Sequence, residues 1–272
     1  MVMKLNKIDL VIWAKNGERM LPYVLKRIDE VIPKERINQR IFVDDNSIDK
    51  TVEIAKGFGW EIYENEKGGI FNAANQALEI VSTSMFATFE QDVLLCKDWL
   101  DRVSLHMHDP KVIVAQGLRL STVKCMRTLQ KYAYDRNILT VSFDNAIYKT
   151  EKIRELGGFP KKCPMCTDTL LFLKINRETP YKWVIDKRIV SLHLKKDLMY
   201  ELRHARLSMA RCQCKPDTTR GWTAIDLFRY FAGSPFRAFD IVIKKHDPQL
   251  IWVYPCLRLV RLIGFLERKW LR

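Results

Sequence analysis

The sequence predicts an α/β protein: a mostly parallel central sheet flanked by helices, with amphipathic helices at its C-terminal end. Three observations carry that expectation. β-branched apolar runs alternate with amphipathic stretches through the first ninety residues. Acidic residues close those apolar runs. The last third turns basic and aromatic, with prolines between its helical segments.

"IDLVIWA" (8–14) reads as a buried strand, and "NGERMLPYVLKRIDEVI" after it as an amphipathic helix. "QRIFVDD" (39–45) is a second strand ending in two aspartates; "SIDKTVEIAKGFG" is the next helix, with Ser47 as its expected cap. "WEIYEN" (60–65), "IFNAANQALEIV" and "MFATFE" continue as strand, helix and strand. Such alternation builds right-handed βαβ units, which bind ligands at the carboxyl ends of their strands. Residues 111–195 are also strand-rich, and "KIRELGGFPKKCPMCTDTLLFLKI" within them holds a double-glycine turn and a helix opening at Thr167-Asp168. A carboxylate in a first helical turn is favoured by the macrodipole alone. "DLMYELRHARLSMARCQCK" is a basic helix; Ser234-Pro235 and Asp247-Pro248 mark two later helix starts. The expected division is 1–196 for the sheet domain and 197–272 for the helical region.

A composition of 47% hydrophobic and 29% charged residues belongs to an ordered globular protein. The net charge of +14 asks for an anionic partner. Seven cysteines, with Lys4, Lys7 and Asp9 interrupting any leader-like run, suggest reduced thiols on the cytoplasmic side. Cys163-x-x-Cys166 and Cys212-x-Cys214 could supply zinc ligands, but the second spacing is unusual and no histidine is near, so ordinary thiols are expected. His106 and His108 read as surface residues. No apolar run reaches the ~20 residues of a membrane span.

Asp44, Asp45, Glu90 and Asp92 all fall at strand ends. Burying carboxylates is costly without a cation, and oxygen ligands of this kind suit Mg2+ or Mn2+, which bridge to substrate phosphates. Asp44 and Asp45 can accept hydrogen bonds from a base or ribose. Asn145 in "FDNAIY" either lines an acceptor site or braces a loop.

The ordered series "VIWAKNGE", "IFVDDNSIDKTVEIA", "NEKGGIFNAANQALE", "FATFEQDVLL", "FDNAIY", "LGGF", "TDTLLFLKI" and "VSLH" resembles the family 2 glycosyltransferases with the GT-A fold, among them dolichyl-phosphate mannose synthases and cellulose synthase catalytic domains. The match runs from about Ile8 to His193. The resemblance implies that Ala14, Asn16 and Glu18 stand in a nucleotide-binding loop. It implies that Asp44 and Asp45 hold the base, with Gly68, Gly69 and Asn75 near the nucleotide. Asp92 then belongs to a DxD-type metal motif in which Glu90 replaces the first aspartate and Gln91 lies between them on the nucleotide-sugar side. Asp168 matches the general base, with Thr167 in place of the usual glutamate on the acceptor side. His193 matches a histidine that completes the metal shell in some relatives.

The implied activity is an inverting, Mn2+- or Mg2+-dependent transfer of a hexose from a UDP- or GDP-linked donor. The expected acceptor is a lipid-linked glycan or polyprenyl phosphate. A nucleotidyltransferase is the rival within enzymes, though no Gly-rich loop with a basic residue follows the first strand. An inactive membrane-bound scaffold is the rival outside them. Residues 188–272 carry 17 Lys+Arg against 7 Asp+Glu. Apolar faces are expected from Trp222, Ile225, Leu227, Phe228 and Phe231, then from Phe236, Phe239, Val242 and Ile243. A third combines Leu257, Val260, Phe265 and Trp270 with a stripe of Arg258, Arg261, Arg268 and Arg272. Arginines beside aromatic faces suit helices lying in an anionic membrane interface. Packing on the protein itself or on a second copy would use the same faces. Nucleic acid is not expected, for no aromatics are interleaved on an exposed groove.

Overall fold

The computed structural model describes residues 7–161, 163, 165–212 and 223–268. Lys4, Cys214, Trp222, Trp270 and Arg272, all named above, lie outside them. β1 (Ile8–Ala14) leads to α1 (Leu21–Val31), β2 (Ile37–Asp44) to α2 (Thr51–Gly57), and β3 (Glu61–Glu64) to α3 (Ile70–Ile80). β4 (Met85–Glu90), the short β5 (Val93–Leu94) and α4 (Trp99–His106) follow. Next come β6 (Val112–Ser121), α5 (Lys124–Asp135), β7 (Ala146–Lys149), α6 (Thr150–Glu155), α7 (Thr167–Glu178) and β8 (Lys182–His193). The last four helices are α8 (Leu198–Arg211), α9 (Ala224–Ala232), α10 (Ser234–Lys245) and α11 (Leu250–Glu267).

The strands form one sheet in the order β3-β2-β1-β4-β7-β6-β8-β5. β3, β2, β1 and β4 run parallel. Beyond them the sheet is mixed, because β7 pairs antiparallel with both β4 and β6, and β5 antiparallel with β8. Every residue of β1 is buried, as a continuous apolar run requires when helices cover both faces. Leu10 and Ile12 pack with Leu21, Leu25 and Trp99 on one face. Val11 and Trp13 pack with Ala73, Ala77 and Phe143 on the other. Register sets Ala14 beside Asp44 and Trp13 beside Glu90, so the acidic strand ends share one edge of the sheet.

The chain divides into two compact units: Met1–Arg119, Thr140–Lys161 and Thr167–Leu194 in the first; Leu120–Leu139, Lys162–Cys166 and Lys195–Arg272 in the second. The second unit takes in α5 besides the C-terminal helices, an element that the strand-rich reading of 111–195 passed over. Its Cys125, Met126 and Leu129 share a core with Leu202, Ala238, Ile241, Leu250, Val253 and Leu257, and that apolar face draws α5 to these helices. Gly264 lets α11 pass close to the backbone of α8 at Arg206, where a Cβ would collide.

Asp247 does not cap α11. Its carboxylate accepts from Thr128 Oγ1 at 2.9 Å, and α11 starts at Leu250. The expected apolar faces split: Leu227 and Leu257 are buried, whereas Ile225, Phe228, Phe236, Phe239, Ile243 and Trp252 are exposed. The arginine stripe is corrected at Arg258. Its Nη2 donates to the Tyr254 hydroxyl at 2.7 Å, and its guanidinium lies 4.8 and 5.5 Å from the Tyr254 and Tyr230 ring centroids. Among the described residues, no helix is long and apolar enough to cross a membrane.

At the opposite edge of the sheet from the acidic strand ends, Asp9 is wholly buried. Oδ1 accepts from Asn38 Nδ2 at 2.8 Å; Oδ2 accepts from Gln39 Nε2, Ser82 N and Thr83 N at 3.0, 2.6 and 3.1 Å. Burial opposes its charge, but these donors outweigh it and hold the carboxyl below its usual range. We expect Asp9→Ala to cost about 2–3 kcal/mol, since it strands several buried donors. With the folded pKa depressed, the carboxylate's contribution is present above the unfolded pKa and lost as pH falls through the folded one. The stability gap between the native chain and Asp9→Asn, measured by urea unfolding, should be flat near neutrality and narrow below about pH 4.

Candidate active site

The loop after β1 is clasped to the loop after β2 by side chains bonding to backbone. Asn16, at φ 50°, donates its N–H to Ser47 Oγ at 3.0 Å and accepts from Ile48 N at 2.9 Å through Oδ1. Glu18 N donates to Asp49 Oδ2, and Glu18 Oε2 accepts from Lys50 N, both at 3.1 Å. Ser47 is therefore a clasp residue and not the cap of α2, which starts at Thr51. Gln91 reaches in from beyond β4: Oε1 accepts from Lys15 N at 2.9 Å and Nε2 donates to Lys15 O at 3.1 Å. A Cβ at position 17 would stand 2.7 Å from Gln91 Oε1, which explains Gly17.

Ala14 ends β1 and accepts from Asp45 N at 2.8 Å, which seats the acidic pair. Asp44 is buried, with Oδ2 accepting from Ser47 N at 3.0 Å and Oδ1 left without a partner. A buried, unpaired carboxylate oxygen is costly unless a ligand donor meets it. Asp45 Oδ1 accepts from Asn65 Nδ2 at 2.8 Å and Gly69 N at 2.7 Å, while Lys15 Nζ stands 4.0 Å from Oδ2. Gly69 thus orders the Asp45 carboxylate through its backbone at the start of α3.

Glu90, Asp92 and His193 each offer one ligand atom, and those atoms lie within 4.8 Å of one another. β5 pairs with β8 so that Val93 faces His193, and Asp92 Oδ2 comes to 3.2 Å from His193 Nε2. Two carboxylates and an imidazole suit a divalent cation of the Mn2+ or Mg2+ kind. Arg119 Nη1 bonds both Glu90 Oε2 at 2.7 Å and the wholly buried Asp144 Oδ1 at 2.6 Å. Burial works against the guanidinium's charge, yet Asp144, Glu90 and Asp92 overcome that and raise its pKa. The Asp144 carboxyl is pushed up by burial, eased by Arg119, and pushed further by Glu90 and Asp92. Asp144 Oδ2 is a second buried oxygen without a partner.

Asp168 opens α7 and is half-buried, its Oδ1 accepting from Thr169 N at 2.6 Å. The Tyr148 hydroxyl donates to Phe143 O at 2.9 Å; burial raises its pKa first, and the charges of Asp144, Asp168 and Glu90 raise it further. Thr167 beside Asp168 is buried. Asn145 is corrected. It is wholly buried, its Nδ2 donating to Leu118 O at 3.1 Å and its Oδ1 accepting from Ser191 Oγ at 2.9 Å, so it braces strands and cannot line an acceptor site. Asn75 is likewise committed to backbone, exchanging two 2.9 Å bonds with Phe159. An open cleft of about 310 Å3 lined by Asn65, Asn72 and Asn75 lies at that side of α3 and does not include Glu90, Asp92 or His193.

Arg119 and Asp144 are the functional residues that sequence reasoning missed. The available signal was a lone arginine inside the apolar run "VIVAQGLRLS", where a charged residue is buried only if paired.

A profile of the family described as Glycosyl transferase family 2 matches residues 9–170. Among solved structures, the chain is similar to the mannosyltransferase PcManGT from Pyrobaculum calidifontis, in complex with GDP-Man and Mn2+: TM-score 0.69, 16% identity, 99% of this chain and 89% of that one. It is similar to glucosyl-3-phosphoglycerate synthase from Mycobacterium tuberculosis, in complex with Mn2+, UDP and phosphoglyceric acid: TM-score 0.56, 15% identity, 77% of this chain and 80% of that one. It is also similar to S. aureus TarS in complex with UDP-GlcNAc: TM-score 0.55, 14% identity, 98% and 92% covered. At these identities the likeness is one of fold. No curated protein sequence matches the chain.

Removing Arg119 should expose how much of the site is held by charge balance. Arg119→Met leaves two carboxylates without their cation and should cost roughly 3–5 kcal/mol by denaturant unfolding. Adding Asp144→Asn should recover part of that loss, because the buried charge disappears with it. An additive double variant would mean that Arg119 and Asp144 do not depend on each other.

Proposed function

The chain belongs to glycosyl transferase family 2, and from that premise we propose that it is an inverting transferase moving a hexose from a UDP- or GDP-linked donor with Mn2+ or Mg2+. The observation that carries the reading is the Glu90, Asp92 and His193 donor set on the sheet edge where Asp44 and Asp45 also end. GDP-Man, UDP and UDP-GlcNAc in the similar structures support a nucleoside diphosphate donor.

In this reading Asp44 Oδ1, unpartnered in the protein, accepts from the base or ribose of the donor. Glu90, Asp92 and His193 hold the cation. A divalent cation held by them would supply the positive charge that offsets a departing diphosphate. Arg119 keeps Glu90 and Asp144 compatible with one another. Asp168 takes the proton of an acceptor hydroxyl, which is a poor nucleophile without a base. Attack from the face opposite the leaving group inverts the anomeric centre. A phosphate acceptor would arrive as an anion and need no base.

The acceptor we propose is a lipid-linked glycan or polyprenyl phosphate, with the protein peripheral on the cytoplasmic side of a membrane. The support is the exposed apolar set on α9, α10 and α11, with Phe236 83% exposed, on a chain whose last third is strongly basic. Apolar side chains gain burial at the headgroup boundary, and the basic charge adds a salt-screened attraction to anionic lipid.

Asp92→Asn should abolish the Mn2+-dependent rise in melting temperature caused by UDP or GDP, and turnover with it. Undiminished binding would remove Asp92 from the metal site. Asp168→Asn should lower turnover onto a hydroxyl acceptor by about two to four orders of magnitude with donor affinity unchanged. Co-sedimentation with anionic vesicles should weaken in high salt and in Phe236→Ser/Phe239→Ser, while donor hydrolysis continues. Absence of vesicle binding by the full chain would leave these faces to packing against a second copy.

A further inference from the structure

We propose that Cys163, Cys166 and Cys212 supply the thiolates of a structural zinc site, separate from the carboxylate site. The three described sulfurs lie within 4.8 Å of one another although 46 residues separate Cys166 from Cys212 in the chain. All three residues are buried, at 1%, 0% and 6% exposure, and all belong to the second unit. Cys166 N donates to Cys163 O at 3.2 Å, closing the tight turn of a C-x-x-C ligand pair. Cys212 ends α8, its N–H donating to Ser208 O at 3.1 Å.

The spacing fits a metal better than a disulfide. Cys166 Sγ and Cys212 Sγ stand 3.3 Å apart, well beyond an S–S bond of about 2.05 Å. Four thiolates about 2.3 Å from Zn2+ sit roughly 3.8 Å from one another, and these sulfurs already approach that separation. Zinc with three thiolates carries a net negative charge, and the flanking sequence answers it. Lys161 and Lys162 precede the C-x-x-C pair, while Arg211 and Lys215 bracket Cys212. Sulfur ligands also select against the hard cations suited to Glu90 and Asp92.

A metal here would join the segment before α7 to the end of α8, a cross-link in a unit whose apolar core is small.

The full chain, purified under reducing conditions without chelator, should carry one zinc by native mass spectrometry and elemental analysis. It should release that zinc to a mercurial thiol reagent but not to brief EDTA treatment. Cobalt exchange should give the near-ultraviolet thiolate charge-transfer band and intense visible bands of tetrahedral cobalt. Those bands should persist in Asp92→Asn and Cys256→Ser and be lost or reduced in Cys163→Ser and Cys212→Ser. The native chain's metal content is read even if a cysteine variant fails to fold. Protein without zinc and without cobalt–thiolate bands, or an intramolecular disulfide among these cysteines under the same conditions, would overturn the site.

Discussion

Arg119 is the cation that lets the acidic side chains Glu90, Asp92 and Asp144 coexist at one end of the sheet. Its Nη1 stands within 2.7 Å of both Glu90 and Asp144, the latter wholly removed from water. Without it, burial and mutual repulsion would drive protons onto these carboxyls or pull the strands apart. With it, Glu90 has one oxygen on the guanidinium while its carboxylate still reaches the ligand set of Asp92 and His193. The arrangement is therefore poised: one fixed charge inside the protein, and a donor set suited to a second, divalent one.

Both edges of the parallel strands present buried aspartates, but their surroundings assign them opposite tasks. Asp9 receives four N–H donors and is saturated, so it is a brace. Asp44 receives one and keeps an oxygen unpaired, as does Asp144. An unsatisfied buried acceptor is a standing cost that a ligand relieves. The side chains of Asn16, Glu18 and Gln91 spend their hydrogen bonds on neighbouring loop backbone, which fixes the rim around those acceptors. What these three side chains determine is the shape of the loop after β1.

The helical unit shows how charge and aromatic content divide once helices pack. Arg258 is drawn between Tyr230 and Tyr254, where cation–π attraction and one hydrogen bond hold it. The side chains left outward are Phe236, Phe239, Phe228 and Ile225. The same unit gathers three cysteines at the end of α8. Its core includes α5 as well as the C-terminal helices, which makes the unit discontinuous in sequence.

Periodicity alone determined that the first ninety residues alternate strand and helix, and β1 and β4 begin and end where their apolar runs do. It also determined that Asp44, Asp45, Glu90 and Asp92 share an edge, because parallel strands end on the same side. These are local properties, legible in order. Tertiary structure decided the rest. The antiparallel entry of β7 buried Asn145 among strands, since a side chain's exposure depends on which strand pairs beside it. Arg119 met Asp144 across 25 residues, and Cys166 met Cys212 across 46. No spacing rule spans such distances, because the partner of a buried charge or thiol is set by where the chain returns.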